Sequence, residues 1–307
     1  MTASPNPIPE SRTAELQTTS ATRPMYWSVQ RELWENRSIY IAPLVAGALV
    51  LFGFLIHTTH LAHDMRAFAS LDAAHQRARV VTPYNMAAFL MVVTTFIVGF
   101  FYSLDALHGE RRDRSILFWK SLPVSDVTAV LSKAAIPLAV LPLLTFAICI
   151  TIQLIMLLLS VAVLELTGVG TQTLFTNFKF GESSFSLLYA VIAIALWHAP
   201  VYAWLLLVSG WARRTAFLWA VLPLLAVCAF EKGAFNTAHF ASFLQYRVVG
   251  WFTQAFVFPP PGTVPIHPLS QLTPGRFLTT PGLWIGLIFA AAFLTAAARL
   301  RRYRAPI

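Results

Sequence analysis

The stretch from Ala134 to Leu164, AAIPLAVLPLLTFAICITIQLIMLLLSVAVL, contains no charged residue. As a helix rising about 1.5 Å per residue it is about 46 Å long, well beyond a hydrocarbon core of about 30 Å. Pro137 and Pro142 near its start remove backbone donors, so the helix is expected to bend or tilt. Five further apolar stretches flank it: Ile39 to Ile56, Met86 to Leu104, Phe185 to Val208, Ala216 to Phe230 and Leu283 to Ala298. The composition agrees. Of 307 residues, 57% are hydrophobic and 11% charged, whereas a soluble domain carries about 25% charged residues. Too few polar groups remain to cover a globular surface. The expectation is an all-α polytopic membrane protein with six transmembrane helices.

Two segments precede the first span. Residues 1–24 are rich in Pro, Ser and Thr and lack periodicity, which reads as a disordered cytoplasmic tail. Residues 25–38 place Tyr26, Val29 and Leu33 on one stripe, edged by Trp27 and Trp34, with Arg31, Glu32, Glu35 and Arg37 pointing elsewhere. That pattern predicts an amphipathic interfacial helix. Residues 39–307 then form the six-helix transmembrane domain.

The net charge is +9, but its placement argues against nucleic acid. Lys and Arg gather at the ends of the apolar runs, as they do when they set orientation in a bilayer. With the N-terminus in the cytoplasm, fifteen of the 22 Lys and Arg fall on inside segments. Both termini are therefore expected in the cytoplasm, in a bacterial-type inner membrane. Cys149 and Cys228 lie within apolar runs and read as small buried hydrophobes.

Enzyme patterns are missing. No G-x-x-x-x-G-K-[ST] cradles phosphates and no H-E-x-x-H holds zinc. Ser183 and Ser184 are about three turns or more from His198, too far for a serine nucleophile and its base. His57, His60 and His63 with Asp64 drift around a helix and read as interfacial imidazoles rather than metal ligands. The apolar runs hold essentially no ionisable group for an intramembrane enzyme. No metal or cofactor is expected in this chain.

Two connections exceed simple turns, and long loops are usually functional or disordered. The external one, 231–281, includes the run Phe258-Pro259-Pro260-Pro261-Gly262. It also carries a helical stripe of Phe240, Leu244, Arg247, Val248 and Trp251, flanked by Phe243 and Ala255, which predicts a re-entrant or interfacial helix before the last span. Arg247 is costly among apolar residues unless it pairs or snorkels. Glu231 is the candidate partner, as an external charge pair.

The cytoplasmic connection, 105–133, joins a charged half to an aromatic one. Glu110, Arg111, Arg112 and Arg114 come first, then Ile116 to Trp119, with Leu122-Pro123 as the stop. Ser125 can cap the following helix, with Asp126 near its positive end. Phe118 and Trp119 beside Lys120 make a poor solvated surface and a good anchor for a partner. The run G-E-R-R-D-R-S-I-L-F-W-K-S-L-P-V-S-D resembles the loop that follows the second span in type-2 ABC exporter permeases. The likeness extends to the interfacial first helix, the six spans and the long external connection before the last. It implies a permease subunit, itself no enzyme, that moves a hydrophobic or amphipathic substrate out of the cytoplasm or inner leaflet.

Further partners follow from the resemblance. Two copies of an ABC ATP-binding subunit would bind the ATP and Mg, and a second permease copy, as a homodimer, or a similar permease would complete the pathway among membrane lipids. Glu110, Arg111, Arg114, Ser115, Phe118, Trp119, Lys120, Leu122 and Pro123 would form the coupling segment docked in the ATPase. The Pro-rich stretch 258–268 matches no feature of that family. An intramembrane enzyme, or an assembly protein binding another partner through 105–133, is the competing expectation. Topology is testable directly: single cysteines at Ser115 and Thr263 in a Cys-free background should react with impermeant reagents from opposite faces, and labelling from one face would exclude six spans.

Overall fold

A computed structural model describes residues 22–68, 72–115, 124–257 and 267–303 of the chain. Helices dominate, and among the described residues β-pairing is confined to one bridge between Phe256 and Leu272. Six helices are long and apolar enough to cross a membrane. The chain is thus a multi-pass, all-α membrane protein.

The first helix, α1 (Thr22–Glu35), packs beside the bundle. α2 (Ser38–Phe68) and α3 (Ala73–Asp105) form the first two spans, and both continue well past their apolar runs. α4 (His108–Arg112) is a short turn of helix. The third span begins as α5 (Asp126–Ala135), passes through a wider π-type turn at Ile136–Val140, and resumes as α6 (Leu141–Leu166). Where the bend is expected the helix widens into a π turn, with Pro137 inside it and Pro142 just after it. Each proline leaves the carbonyl four residues earlier without its usual donor, and the wider turn accommodates that loss.

α7 (Gln172–Asn177) leads into α8 (Phe180–Trp211), the fourth span, followed by α9 (Ala216–Phe235), the fifth. α10 (His239–Ala255) and α11 (Pro274–Thr279) precede the last span, α12 (Pro281–Tyr303). Residues 258–266, the Pro-rich run, lie outside the described part.

α8 is the axis of the bundle. Its most apolar window is 72% buried inside the protein, against 11% for α9. Ala199 and Ala203 of α8 meet Ala290 of α12, and such small residues let helix backbones approach closely where lipid provides no hydrophobic drive. Around this axis, Phe54, Tyr84, Met91, Ile152 and Met156 build the core of the half away from the N-terminus. Ile39, Tyr102, Ile136 and Leu206 build the core of the near half.

α10 packs on the middle of α8. Trp197 Nε1 donates to the Arg247 carbonyl at 3.0 Å, and His198 Nε2 lies 3.0 Å from the Val248 carbonyl. Arg247 points inward, its guanidinium 4.9 Å from the Trp197 ring and its Nη1 donating to the Gly282 carbonyl at 3.0 Å. Arg247, Gly250 and Ala255 are buried, Phe240, Leu244 and Trp251 of the predicted stripe are half-buried, and Val248 alone of that stripe is exposed. The Arg–Trp contact and the glycine notches hold this face against α8 and α12. A Cβ on Gly286 would stand 1.6 Å from Arg247 Nη2. Gly286→Ala should therefore lower thermal stability by about 1–3 kcal/mol through overpacking. In an Arg247→Ala background the same change should have little effect, because the clashing group is gone. Detergent-solubilised melting curves of the four proteins measure this.

Candidate functional site

Charged groups from α1, α4, α5 and α12 converge inside the protein. At the end of the bundle nearest α1, acids Glu32, Glu110 and Asp126 meet bases Arg31, Lys133 and Arg301. Glu32 is 0% exposed and Lys133 2% exposed. Lys133 Nζ donates to Glu32 Oε1 at 2.9 Å and also contacts Glu110 Oε1 at 3.1 Å. Arg301 reaches Glu110 Oε2 at 3.1 Å and Asp126 Oδ1 at 2.9 Å. Arg31 bridges Glu32 at 2.6 Å and Glu110 at 3.1 Å. The Tyr102 hydroxyl donates to Glu32 Oε2 at 2.8 Å.

Glu110 is the hub of this cluster. Its two carboxylate oxygens join α1, α5 and α12 to α4, at the start of the 105–133 connection. Three acids, Glu32, Glu110 and Asp126, face three bases, and a fourth acid, the more exposed Glu35, contacts Arg31 at 3.7 Å from the rim; pairing of this kind is what buried charges require. Burial by itself would raise the Glu32 pKa, but Lys133 and Arg31 outweigh it and hold the carboxyl below the usual glutamate range.

α4 is anchored by a second set of contacts. Ser209 Oγ accepts from the backbone N–H groups of Leu107 and His108 at 3.0 and 2.8 Å, which caps the start of α4. Arg111 Nη1 donates to the carbonyls of Gly210 and Ala212 at 2.9 and 3.2 Å. These carbonyls end α8, where a cation is also favoured by the helix dipole. The segment then turns at Arg114, whose φ of 58° is left-handed. Ser115 Oγ donates back to the Glu110 carbonyl at 3.4 Å.

The nine coupling positions therefore divide. Glu110 and Arg111 are buried, and their side chains bond groups of this same chain. Arg114 is exposed and Ser115 half-buried beyond them. Phe118, Trp119, Lys120, Leu122 and Pro123 lie outside the described residues. Ser125 Oγ accepts from Thr128 N at 3.0 Å and caps α5, as its position predicts. Asp126 serves Arg301 as well as the positive end of α5.

The reading of α1 needs a similar correction. Ser28 and Glu32, one turn apart, form its buried line, with Val29 and Leu33 beside them, whereas Tyr26, Trp27 and Trp34 are exposed. The periodicity places Glu32 off the apolar stripe, yet it is buried. Its partner Lys133, about one hundred residues away in sequence, draws it inward.

The external candidates do not pair. The Glu231 carboxylate accepts from Thr237 Oγ1 and from the N–H groups of His239 and Phe240 at 2.7–2.8 Å. It caps α10, while Arg247 has the Trp197 ring and the Gly282 carbonyl. His198 and Ser184 each bond backbone carbonyls rather than each other. Among the described residues no group of three His, Cys, Asp or Glu is placed to hold a metal.

Removing one member of the cluster leaves buried charge unbalanced, so Glu110→Ala should destabilise the protein by about 3–5 kcal/mol. The pair Glu32→Met with Lys133→Met should cost less than either single change. Detergent melting curves of these variants report both effects. The sign with pH follows from the lowered Glu32 pKa. Its stabilisation is present above the ordinary glutamate value of 4.5 and is lost as pH falls through the lower folded value. A fluorophore at residue 34 should report α1 docked from pH 8 to about pH 5 and released only below that, and the acid transition should vanish in Glu32→Gln.

No family model, curated protein or solved structure matches this chain.

Proposed function

We propose that this chain is the transmembrane subunit of an ATP-driven exporter whose ATP-binding subunits are separate chains. The observation that carries the reading is Glu110 at the root of the coupling segment. It opens the run that resembles the type-2 ABC permease loop, and its side chain is locked by buried ion pairs to α1, α5 and α12. A push on residues 113–124 therefore reaches the first helix, the third span and the last span together. Ser209 and Arg111 pass the same push to α8, the central helix.

The third span is suited to respond. Lys133 ends α5 inside the cluster, and the π turn at Ile136–Val140 separates α5 from α6. In this reading α5 moves with the cluster while α6 stays packed in the far core. Both termini and residues 105–133 face the cytoplasm, and α1 lies on the inner membrane surface with Trp27 and Trp34 at the headgroups. Two copies form the pathway, each bound to one ATPase. The substrate is hydrophobic or amphipathic, because the spans hold few membrane-embedded carboxylates with which to carry a small ion.

The test uses the whole complex. The chain, purified from its native membrane, should bring an ABC ATP-binding subunit with it. Phe118→Ala with Trp119→Ala should insert normally yet weaken that association by about 2–4 kcal/mol, the loss typical of aromatic anchors. Recovery of the chain with no ATP-binding subunit, or a double variant with unchanged association and ATPase stimulation, would remove this function.

A further inference from the structure

The π turn of the third span leaves one backbone group without a partner in its own helix. Across the turn the Leu141 N–H donates to the Ile136 carbonyl, five residues back. Pro142 has no N–H to give. The Pro137 carbonyl therefore receives neither the α-type bond from Leu141 nor the π-type bond from Pro142. Pro137 is buried, and a buried carbonyl without a donor is costly. Membrane helices broken by proline regain such bonds from hydroxyl side chains or ordered water.

Beside the turn lies a small cavity, lined by Pro137, by Pro142 and Thr145 of α6, by Thr95 of α3 and by Tyr202 of α8. Its volume is about 10 Å³, and a single water needs about 10–15 Å³. An organic ligand is excluded by size, and a bare cation would find no carboxylate in the lining.

The three hydroxyls differ in what they can offer. Thr95 Oγ1 lies 2.9 Å from the Met91 carbonyl, Thr145 Oγ1 lies 2.7 Å from the Leu141 carbonyl, and the two hydroxyls also contact each other. Each hydroxyl carries one hydrogen, so this pair has its donors spent and keeps only acceptor capacity. Tyr202 is the reverse case. It is 2% exposed, and its hydroxyl lies against Gly99, where a Cβ would stand 3.2 Å from the oxygen. Among the described residues no group hydrogen-bonds that hydroxyl, although a buried tyrosine usually finds a partner.

We propose that this cavity binds one water molecule, which accepts from the Tyr202 hydroxyl and donates to the Thr95–Thr145 pair and to the Pro137 carbonyl. A buried water typically makes about three bonds, and these groups supply them. The water ties α3 and α8 to the point at which the third span is interrupted. The site depends on the fold and not on coupling to an ATPase, so either proposal can fail without the other.

The full chain in detergent is exposed to short X-ray pulses in heavy-oxygen water, which convert bound water to hydroxyl radicals that oxidise the side chains beside it. The label is mapped by peptide mass spectrometry. Tyr202 and Pro142 should be labelled despite their burial, whereas Trp197, 0% exposed and outside the cavity lining, should not. Tyr202→Phe removes the donor, and Val191→Ile extends a lining residue into the cavity. Each should lower the label at Pro142 to the level of Trp197, while exposed Trp34 is labelled equally in all three proteins. Labelling of Tyr202 and Pro142 no higher than that of Trp197 in the native chain would overturn the site. Native labelling of Pro142 in either variant would do so too, because the radicals would then reach it from elsewhere.

Discussion

The ion pairs of Glu110 with Lys133 and Arg301 hold one end of this bundle together. Taking such charges out of water is expensive, and the expense is offset only when every charge has a partner in good geometry. Here one carboxylate faces three bases from three elements, and a second carboxylate, Glu32, completes the set. The arrangement is cooperative in a structural sense: no single helix can leave without stranding a charge in a low-dielectric site. That constraint fixes where α1 lies, where α5 begins and how far the last span must run before it ends.

Elsewhere the bundle is built differently. Aromatic packing dominates, with Tyr84 stacked on Phe178 at 3.9 Å and, at the middle of α8, Trp197 between Tyr246, Phe277 and Arg247. Gly286 clears the space that lets Arg247 reach across to α12, and Gly282 makes room for the Tyr246 ring. The π turn of the third span lies between these two regimes. An ionic end and the aromatic contacts beyond it, joined by a third span interrupted by a π turn, form the frame on which the proposed coupling acts.

How the chain meets lipid follows from the same frame. α8 is enclosed, so the spans around it present their apolar faces outward, and α9 does so almost entirely. Between α2 and α3 a groove is floored by Met156, and Gly53 leaves space in its wall. On α1 the same division appears in miniature: Glu32 is drawn into the protein while Trp27 and Trp34 are turned away from it.

The six spans were legible in the sequence because burial in hydrocarbon acts on each segment separately. A charge-free run such as Ala134 to Leu164 is a local property, and so are the proline bend within it and the Ser125 cap. Arg31, Glu32, Lys133 and Arg301 were equally visible, but each read as an ordinary interfacial charge at the end of an apolar run. Nothing in local spacing distinguishes a lysine that snorkels to headgroups from one that closes on a glutamate a hundred residues away. The same holds for Glu231 and Arg247, near one another in sequence yet drawn to a helix N-terminus and a tryptophan face. Sequence alone determined which segments cross and where the chain bends, since transfer free energy adds residue by residue. Tertiary structure alone decided which charges are partners, because pairing depends on distances between helices that no single segment encodes.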